Sequence, residues 1–412
     1  MANKHLLIIA FHFPPLQGSS GLHRTLSLIR YLPQNDWRIT VLTVSPSTYQ
    51  KIHRENYDLI PDRVSVIRAP ALDTIRDLSI KGRYPGFLAF PDKYQSWIAS
   101  GVIRGLMRCR SDRPSAIYST FPIASAHYIG WVINKVTKIP WVVDFRDPMA
   151  QSDYPKDLRK KRQLHRLERR FVGAADAVLV TTPGTKRIYE GRYRELNENL
   201  WHVVPNGYDE MMFDGISASD SDSCPQEITL LHSGALYRSE RDPACLFRAL
   251  ADLKAEGSQN MDRLKVLFRG SRHVEYFMNM AEDLGVTSHV IFGDAIPYKK
   301  AVSEMLGADA LLILQASNCN EQIPAKVYEY LRANRPILAL TDSTGDTAKL
   351  LASCGITNVA ALDDSKAIKT LLKGFLQGDR SGIMASSDCD IGKFSRHGIA
   401  LDVSKILTRV ST

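Results

Sequence analysis

Long apolar runs are missing from this sequence. The first apolar stretch, residues 6–11, is soon followed by Pro14 and Pro15. It is too short to cross a bilayer, which takes roughly 18 residues, and too short for a signal peptide. The six cysteines include no CxxC pair and no Cys/His cluster at metal-ligand spacing. We therefore predict a cytoplasmic protein with no disulfide framework and no structural metal.

Compositional extremes are missing too, because hydrophobic residues make up 44% and charged residues 24% of the chain. These values exclude disordered, collagen-like and disulfide-scaffold proteins, and 412 residues suffice for about two to three domains. Residues 1–200 carry 31 lysines and arginines against 17 acids, a net charge of +14, whereas residues 201–412 carry 22 against 27, a net −5. Because the positive charge is confined to the first half and nucleic-acid recognition motifs are missing, we predict no nucleic-acid partner.

Short β-branched runs alternate with helical patterns in two successive series. Such alternation predicts an α/β protein with two doubly wound, Rossmann-like domains of parallel strands, facing each other across a ligand cleft. The turn Pro205-Asn206-Gly207 starts the second series, so we predict domains at residues 1–204 and 205–394, followed by a final helix in 395–412. The predicted strands are 6–11, 39–44, 64–67, 116–120, 141–145, 177–181 and 202–204, then 228–232, 265–269, 290–292, 310–314, 336–340 and 358–362.

Two glutamates, Glu321 and Glu329, are separated by seven residues that include Pro324 and Lys326. Proline is favoured in the first turn of a helix, so we expect a helix from about Pro324 with Glu329 one and a half turns inside it. Its amino end, together with Lys326, would attract an anion, and Glu329 could accept two ribose hydroxyls. Taken alone, the pattern is more typical of a surface helix with two solvated acids.

Three further turns follow predicted strands and carry polar or glycine residues. Gly234, Arg238 and Arg241 follow the first strand of the second series, a composition that suits a diphosphate or a plain solvated loop. A GxxG pair, Gly18 and Gly21, follows the first strand of the chain, where it is a weak phosphate-loop signal and a reasonable cleft wall. The fifth strand ends in the segment Asp144-Phe-Arg146-Asp147-Pro, where alternation places Asp144 and Arg146 on one face.

The order of these segments resembles the family 4 glycosyltransferases of GT-B architecture, above all bacterial cell-surface polysaccharide members, over essentially the whole chain. The resemblance implies an acceptor-binding N-terminal domain, a donor-binding C-terminal domain, a final helix that packs back on the N-terminal domain, and a retaining mechanism. It assigns the ribose to Glu329, the donor sugar to Glu321 and the diphosphate to Arg241 and Lys326, approached by Gly18 and Gly21.

The sequence also departs from the family pattern. The usual Phe-Gly after the first glutamate is Gln322-Ile323, and the Gly-Arg after the first strand of the C-terminal domain is Gly234-Ala235, which leaves Arg238 or Arg241 as substitutes. Arg146 stands where many relatives have a histidine, so no catalytic base transfers. Glu321, Arg146 and Asp147 form the predicted catalytic set.

We therefore interpret the chain as a retaining glycosyltransferase of envelope or exopolysaccharide synthesis, with a nucleoside diphosphate sugar as co-substrate and no other cofactor. Its acceptor would be a saccharide or a lipid-linked saccharide. Two DxD sequences, Asp220-Ser-Asp222 and Asp388-Cys-Asp390, imitate a metal motif but lie in polar stretches, so we predict no metal. A non-hydrolysing nucleotide-sugar epimerase is the main alternative, and a two-domain binding protein is a further one.

Residues 156–171 form a basic amphipathic segment. Arg159, Arg162 and Arg166 recur at helical spacing on one face, and Leu164 and Leu167 lie on another. This segment is typical of a solvated helix whose apolar side enters the core. It also fits peripheral attachment to the anionic inner face of the cytoplasmic membrane.

Overall fold

The computed structural model describes residues 4–17, 20–151, 155–217 and 227–412. The chain forms two compact units: unit 1 is Met1–Asn206 with Arg396–Thr412, and unit 2 is Gly207–Ser395. No helix among the described residues is long and apolar enough to cross a membrane.

Unit 1 is built on a seven-stranded parallel sheet in the order β3-β2-β1-β4-β5-β6-β7. Its strands are β1 (Lys4–Ile9), β2 (Trp37–Val44), β3 (Ser65–Ala69), β4 (Ala116–Thr120), β5 (Trp141–Arg146), β6 (Ala177–Val180) and β7 (Trp201–Val203). The helices between them are α1 (Ser20–Tyr31), α2 (Thr74–Asp77), α3 (Trp97–Ser111), α4 (Ala124–Thr137), α5 (Leu158–Val172) and α6 (Pro183–Arg192).

Unit 2 contains a six-stranded parallel sheet in the order β10-β9-β8-β11-β12-β13. Its strands are β8 (Ile228–Ser233), β9 (Leu264–Arg269), β10 (Val290–Gly293), β11 (Ala310–Leu314), β12 (Ile337–Leu340) and β13 (Val359–Ala360). Its helices are α7 (Ala244–Ala255), α8 (Val274–Asp283), α9 (Tyr298–Gly307), α10 (Lys326–Ala333), α11 (Asp346–Ser353) and α12 (Ser365–Leu376).

Each sheet is buried on both faces, which explains why its strands are continuous apolar runs. In β1, Leu7 and Ile9 belong to one hydrophobic cluster and Leu6 and Ile8 to the opposite one. The final helix α13 (Arg396–Ser411) adds Ile399, Val403 and Leu407 to the second cluster and packs beside α1.

The strand orders place a topological switch point in each unit, between β1 and β4 in unit 1 and between β8 and β11 in unit 2. In open parallel sheets ligands bind beyond the carboxyl ends of the strands at such points. The loops that follow β1, β5, β8 and β11 carry the residues predicted to bind substrate, so each unit presents its candidate residues at the expected edge.

The prediction of no disulfide is wrong at one pair. Cys354, which follows α11, is bonded to Cys389, and their Cα atoms lie 4.9 Å apart across a sequence separation of 35. The amide of Ser386 donates to the carbonyl of Cys354 at 2.8 Å, so the segment before α13 runs alongside the end of α11. Sequence spacing alone could not show this proximity.

Candidate functional site

Lys326 and Gly234 meet at the carboxyl end of β8 in unit 2. Gly234 has a φ of +123°, a conformation that favours glycine, and a Cβ there would lie 3.0 Å from the Lys326 ammonium. The same ammonium lies 3.0 Å from Nε2 of His232. Because Nδ1 of His232 lies 2.9 Å from the carbonyl of Leu312 and donates to it, Nε2 accepts from Lys326.

The charge around Lys326 is predominantly positive. Burial, followed by the Arg241 guanidinium, lowers the pKa of Lys326 to about 7, and Glu329 acts in the opposite direction. Burial and then Lys326 hold the pKa of His232 well below its usual value, so this imidazole stays neutral. A group with an excess of positive charge at a strand end is suited to bind an anion.

Glu329 lies in the first turn of α10, because the helix begins at Lys326. The expected start at Pro324 is therefore wrong by two residues, and Glu329 lies nearer the amino end than predicted. Pro324 instead precedes the helix, and its carbonyl accepts from the amide of Val327 at 3.0 Å. The hydroxyl of Tyr298, the first residue of α9, donates to the half-buried Glu329 carboxylate.

Glu321 is exposed on a loop that is held by side-chain hydrogen bonds. The buried side-chain amide of Gln315 donates to the carbonyls of Cys319 at 2.7 Å and Gln322 at 2.9 Å. Asn320 donates to the carboxylate of Asp342 at 2.8 Å. The two glutamates therefore lie on different elements, one on an ordered loop and one on a helix.

The two arginines that follow Gly234 are placed differently. The Arg241 guanidinium donates to the carbonyl of Ala235 at 3.2 Å and contributes to the electrostatics of Lys326. Arg238 instead stacks on the ring of Tyr276 at 4.2 Å and lines a cavity of about 380 Å³. Three carboxylates, those of Asp242, Asp342 and Asp363, line the same cavity. They would repel a diphosphate there, so Arg241 is better placed than Arg238 to bind one.

In unit 1 the carboxylate of Asp144 is fully buried and committed to structural contacts. Arg24 donates to its two oxygens at 2.7 and 2.9 Å, and the Tyr118 hydroxyl donates at 2.6 Å. Burial alone would raise the pKa of Asp144, but the Arg24 guanidinium holds it below the usual value. The same arginine donates to the carbonyl of Pro205 at 2.9 Å. The Arg24–Asp144 ion pair therefore connects β5 to the segment that follows β7.

Arg146 does not continue the alternation of β5. Its φ is +61°, and the register with β6 shifts between Asp144 and Arg146, so the expectation that both lie on one regular face is wrong. A Cβ on Gly21 would lie 3.1 Å from the Arg146 guanidinium and 2.6 Å from Nδ1 of His12. Only glycine therefore allows this close approach at the start of α1.

Burial also affects the groups next to Arg146. Burial and then Arg146 lower the pKa of His12 to about 4, so the imidazole is neutral near pH 7. Burial raises the pKa of Asp147 above its usual value. The structure thus brings Gly21, Arg146 and Asp147 to one edge of the sheet, whereas Gly18 lies outside the described residues.

The DxD sequences do not coincide with these groups. Asp388 and Asp390 are exposed, and Asp220 and Asp222 lie outside the described residues. Across the described ranges, no three metal-binding side chains converge.

Several site residues were not singled out from the sequence. His232, Tyr298 and Gln315 contact or order the predicted donor-binding groups of unit 2, and His12 and Arg24 lie against the predicted groups of unit 1. Of these five residues, only His232 has a signal in the sequence, because it is a histidine near the end of an otherwise apolar strand. The positions of the other four depend on contacts between distant elements.

Known proteins give the following comparisons. Residues 21–207 match the family model of the glycosyl transferase 4-like domain. The Anabaena protein HepE, solved in complex with UDP, has a TM-score of 0.67 at 15% identity, covering 98% of this chain and 100% of that one. WaaG, a glycosyltransferase involved in lipopolysaccharide biosynthesis, has a TM-score of 0.61 at 14% identity, covering 98% and 99%. A candidate UDP-N-acetylglucosamine 2-epimerase from Listeria monocytogenes has a TM-score of 0.56 at 11% identity, covering 98% and 95%.

The fold is GT-B. Two parallel sheets with interleaved helices match glycosyltransferases over nearly the full length of both chains. At these identities the solved structures establish the GT-B fold alone, and no curated protein matches the sequence. The part of the chain that is similar to the glycosyl transferase 4-like domain, residues 21–207, makes up most of unit 1.

Proposed function

We propose that the chain is a retaining glycosyltransferase that moves a sugar from a nucleoside diphosphate donor to a saccharide or lipid-linked acceptor. The observation that carries the proposal is the positive group at the end of β8, where Lys326 lies against the backbone of Gly234 and Arg241 donates to the carbonyl of Ala235. A diphosphate leaving group supplies the negative charge that this group would stabilise. The glycosyl transferase 4-like domain over residues 21–207 supports transfer as the reaction, and HepE, of the same fold, binds UDP.

In this proposal unit 2 binds the donor and unit 1 binds the acceptor. Glu329 accepts the ribose hydroxyls, and Glu321 contacts the donor sugar from its ordered loop. Arg146 and Asp147 lie on the acceptor side, and Gly18 and Gly21 allow the diphosphate to approach the backbone. Arg238 borders the donor site, and the arginine and lysine cations replace a metal at the leaving group.

We place the reaction in envelope or exopolysaccharide synthesis, at the inner face of the cytoplasmic membrane. WaaG, of the same fold, acts in lipopolysaccharide biosynthesis. On α5 the cations Arg159, Arg162 and Arg166 are exposed, while Leu164 and Leu167 are buried. Attachment through α5 would therefore be electrostatic, because its apolar side is already in the core.

A nucleotide-sugar epimerase is the second candidate, since a candidate epimerase shares the fold. The glycosyltransferase family model favours transfer over epimerisation. Conversion of a nucleotide sugar to its epimer in the absence of an added acceptor would favour the epimerase.

The experiment that tests the donor site compares two alanine variants. Glu329→Ala should weaken binding of both the sugar nucleotide and the free nucleoside diphosphate, by about 2–3 kcal/mol or roughly 30- to 150-fold, because a charge-assisted hydrogen-bond pair is lost. Glu321→Ala should largely spare free nucleotide binding and lower turnover. Glu275→Ala, an exposed glutamate on α8, is the control. Equal effects of the first two variants on free nucleotide affinity, measured by calorimetry, would contradict these roles.

A further inference from the structure

Unit 1 carries an exposed apolar lobe, residues 72–90, between β3 and α3. It holds four of the exposed large apolar side chains of the described chain, with Leu72 and Ile75 near its base and Ile80 and Phe87 at its tip. The exposed fractions of Ile80 and Phe87 are 78% and 72%, the largest among these side chains. Single exposed apolar residues are ordinary, but four within 19 residues indicate a contact surface.

The base of this lobe is well ordered by buried polar contacts. The buried carboxylate of Asp73 accepts from the amide of Ile75 at 3.0 Å and from the Lys93 ammonium at 2.7 Å. The Thr74 hydroxyl donates to the carbonyl of Leu88 at 2.5 Å. The tip is therefore held out from a fixed base, so the exposure of Ile80 and Phe87 belongs to the folded unit.

The charge of the tip selects the kind of partner. Residues 78–90 contain no acid, and the two charged side chains, Lys81 and Arg83, are exposed in the turn closed by backbone hydrogen bonds between Ile80 and Arg83. Apolar side chains flanked by cations suit the boundary between lipid phosphates and acyl chains, where lysine and arginine bind phosphate and the apolar groups lie deeper.

The lobe shares its edge of the sheet with the start of α5. The two follow the carboxyl ends of β3 and β5, and these ends lie at one edge because the sheet is parallel. Lys160 of α5 opposes the rise that burial causes in the pKa of Asp92, which follows the lobe in the chain. Leu158, at the first position of α5, is also 67% exposed.

We propose that the tip of this lobe inserts Ile80 and Phe87 into the interface of an anionic bilayer, so that the carboxyl edge of the unit 1 sheet faces the membrane. The inference rests on the proposed function only for the choice of a bilayer as partner. It adds an apolar, salt-resistant contact to the electrostatic one of α5 and presents the candidate acceptor side, around Arg146, towards lipid-linked substrates.

Co-sedimentation of the full chain with phosphatidylcholine vesicles, with and without phosphatidylglycerol, tests the proposal at low and high salt. Ile80→Ser/Phe87→Ser should lower partitioning into anionic vesicles by roughly tenfold or more at both salt concentrations, because two apolar side chains no longer leave water. The matched control, Ile103→Ser/Met107→Ser, changes two side chains of α3 that are 59% and 66% exposed and should leave partitioning unchanged.

Three outcomes would overturn the proposal. The wild-type chain could fail to bind anionic vesicles, or the tip variant could bind them as well as the wild type does. In the third outcome, the wild-type chain self-associates in lipid-free sedimentation and the tip variant does not. The last would make the tip a protein interface. Sugar-nucleotide binding, measured on the same samples, should be equal in all variants and reports the donor site separately. Loss of vesicle binding with intact donor binding therefore tests the lobe alone, and absent donor binding with intact vesicle binding would count against the proposed enzyme only.

Discussion

Lys326 is the residue on which the proposed donor site depends most. Its ammonium faces a neutral His232 and the nearby Arg241, and burial with this repulsion brings its pKa to about 7. A bound diphosphate would favour the charged form and return the pKa towards its usual value. Binding of the diphosphate and protonation of Lys326 are therefore linked, and the direction in which affinity changes with pH can be measured.

We expect the affinity for a sugar nucleotide, whose diphosphate does not titrate near neutral pH, to be greatest below pH 7. It should fall above pH 7 by up to about tenfold per pH unit, because the free protein then loses the Lys326 proton that the complex retains. Lys326→Arg should remove this slope, since a guanidinium stays charged, and Lys326→Met should bind weakly throughout. Calorimetry between pH 6 and 9 measures the slope, and a flat wild-type profile would contradict the linkage.

At the scale of elements, helix α5 shows what periodicity can and cannot predict. Its spacing indicated a basic face and an apolar face, and the structure has both. The burial of Glu168 on the same helix could not be predicted, because cationic residues surround it in the sequence. Its carboxylate accepts from the amide of Met149 and the guanidinium of Arg192, both at 3.0 Å, and from the Tyr193 hydroxyl at 2.7 Å. These contacts join α5 to α6 and to the loop after β5, and no local pattern encodes them.

The exposed cations of α5 give a prediction at this scale. Reversing Arg159, Arg162 and Arg166 to glutamate should abolish co-sedimentation with anionic vesicles at low salt, because each cation near the surface contributes about 1 kcal/mol. High salt should weaken wild-type binding, since the attraction decays over a Debye length. Reversal of three exposed cations of unit 2, Arg248, Lys349 and Lys366, is the matched control. Unchanged binding of the α5 variant would contradict electrostatic attachment.

For the whole molecule, alternating apolar runs sufficed to predict two parallel sheets, because strands buried on both faces need continuous apolar sequence. Local conformation was harder to predict. The left-handed backbone of Arg146 depends on the bulge in β5, and the late start of α10 depends on the loop held by Gln315. The Cys354–Cys389 bond likewise needs the path of the chain before α13. The chemistry of the site was therefore predicted from residue types. The predicted local conformations had to be corrected, because they depend on long-range contacts.

The most direct test of the central claim is a thermal-shift screen of nucleoside diphosphate sugars in the presence of EDTA. A ligand at 100 times its dissociation constant stabilises the folded chain by about 2.7 kcal/mol, so at least one sugar nucleotide should raise the Tm of the wild-type chain by several degrees. The same compound should leave Lys326→Ala nearly unshifted. The account would be contradicted if no sugar nucleotide raises Tm, if the shift requires added Mn²⁺ or Mg²⁺, or if Lys326→Ala responds like wild type.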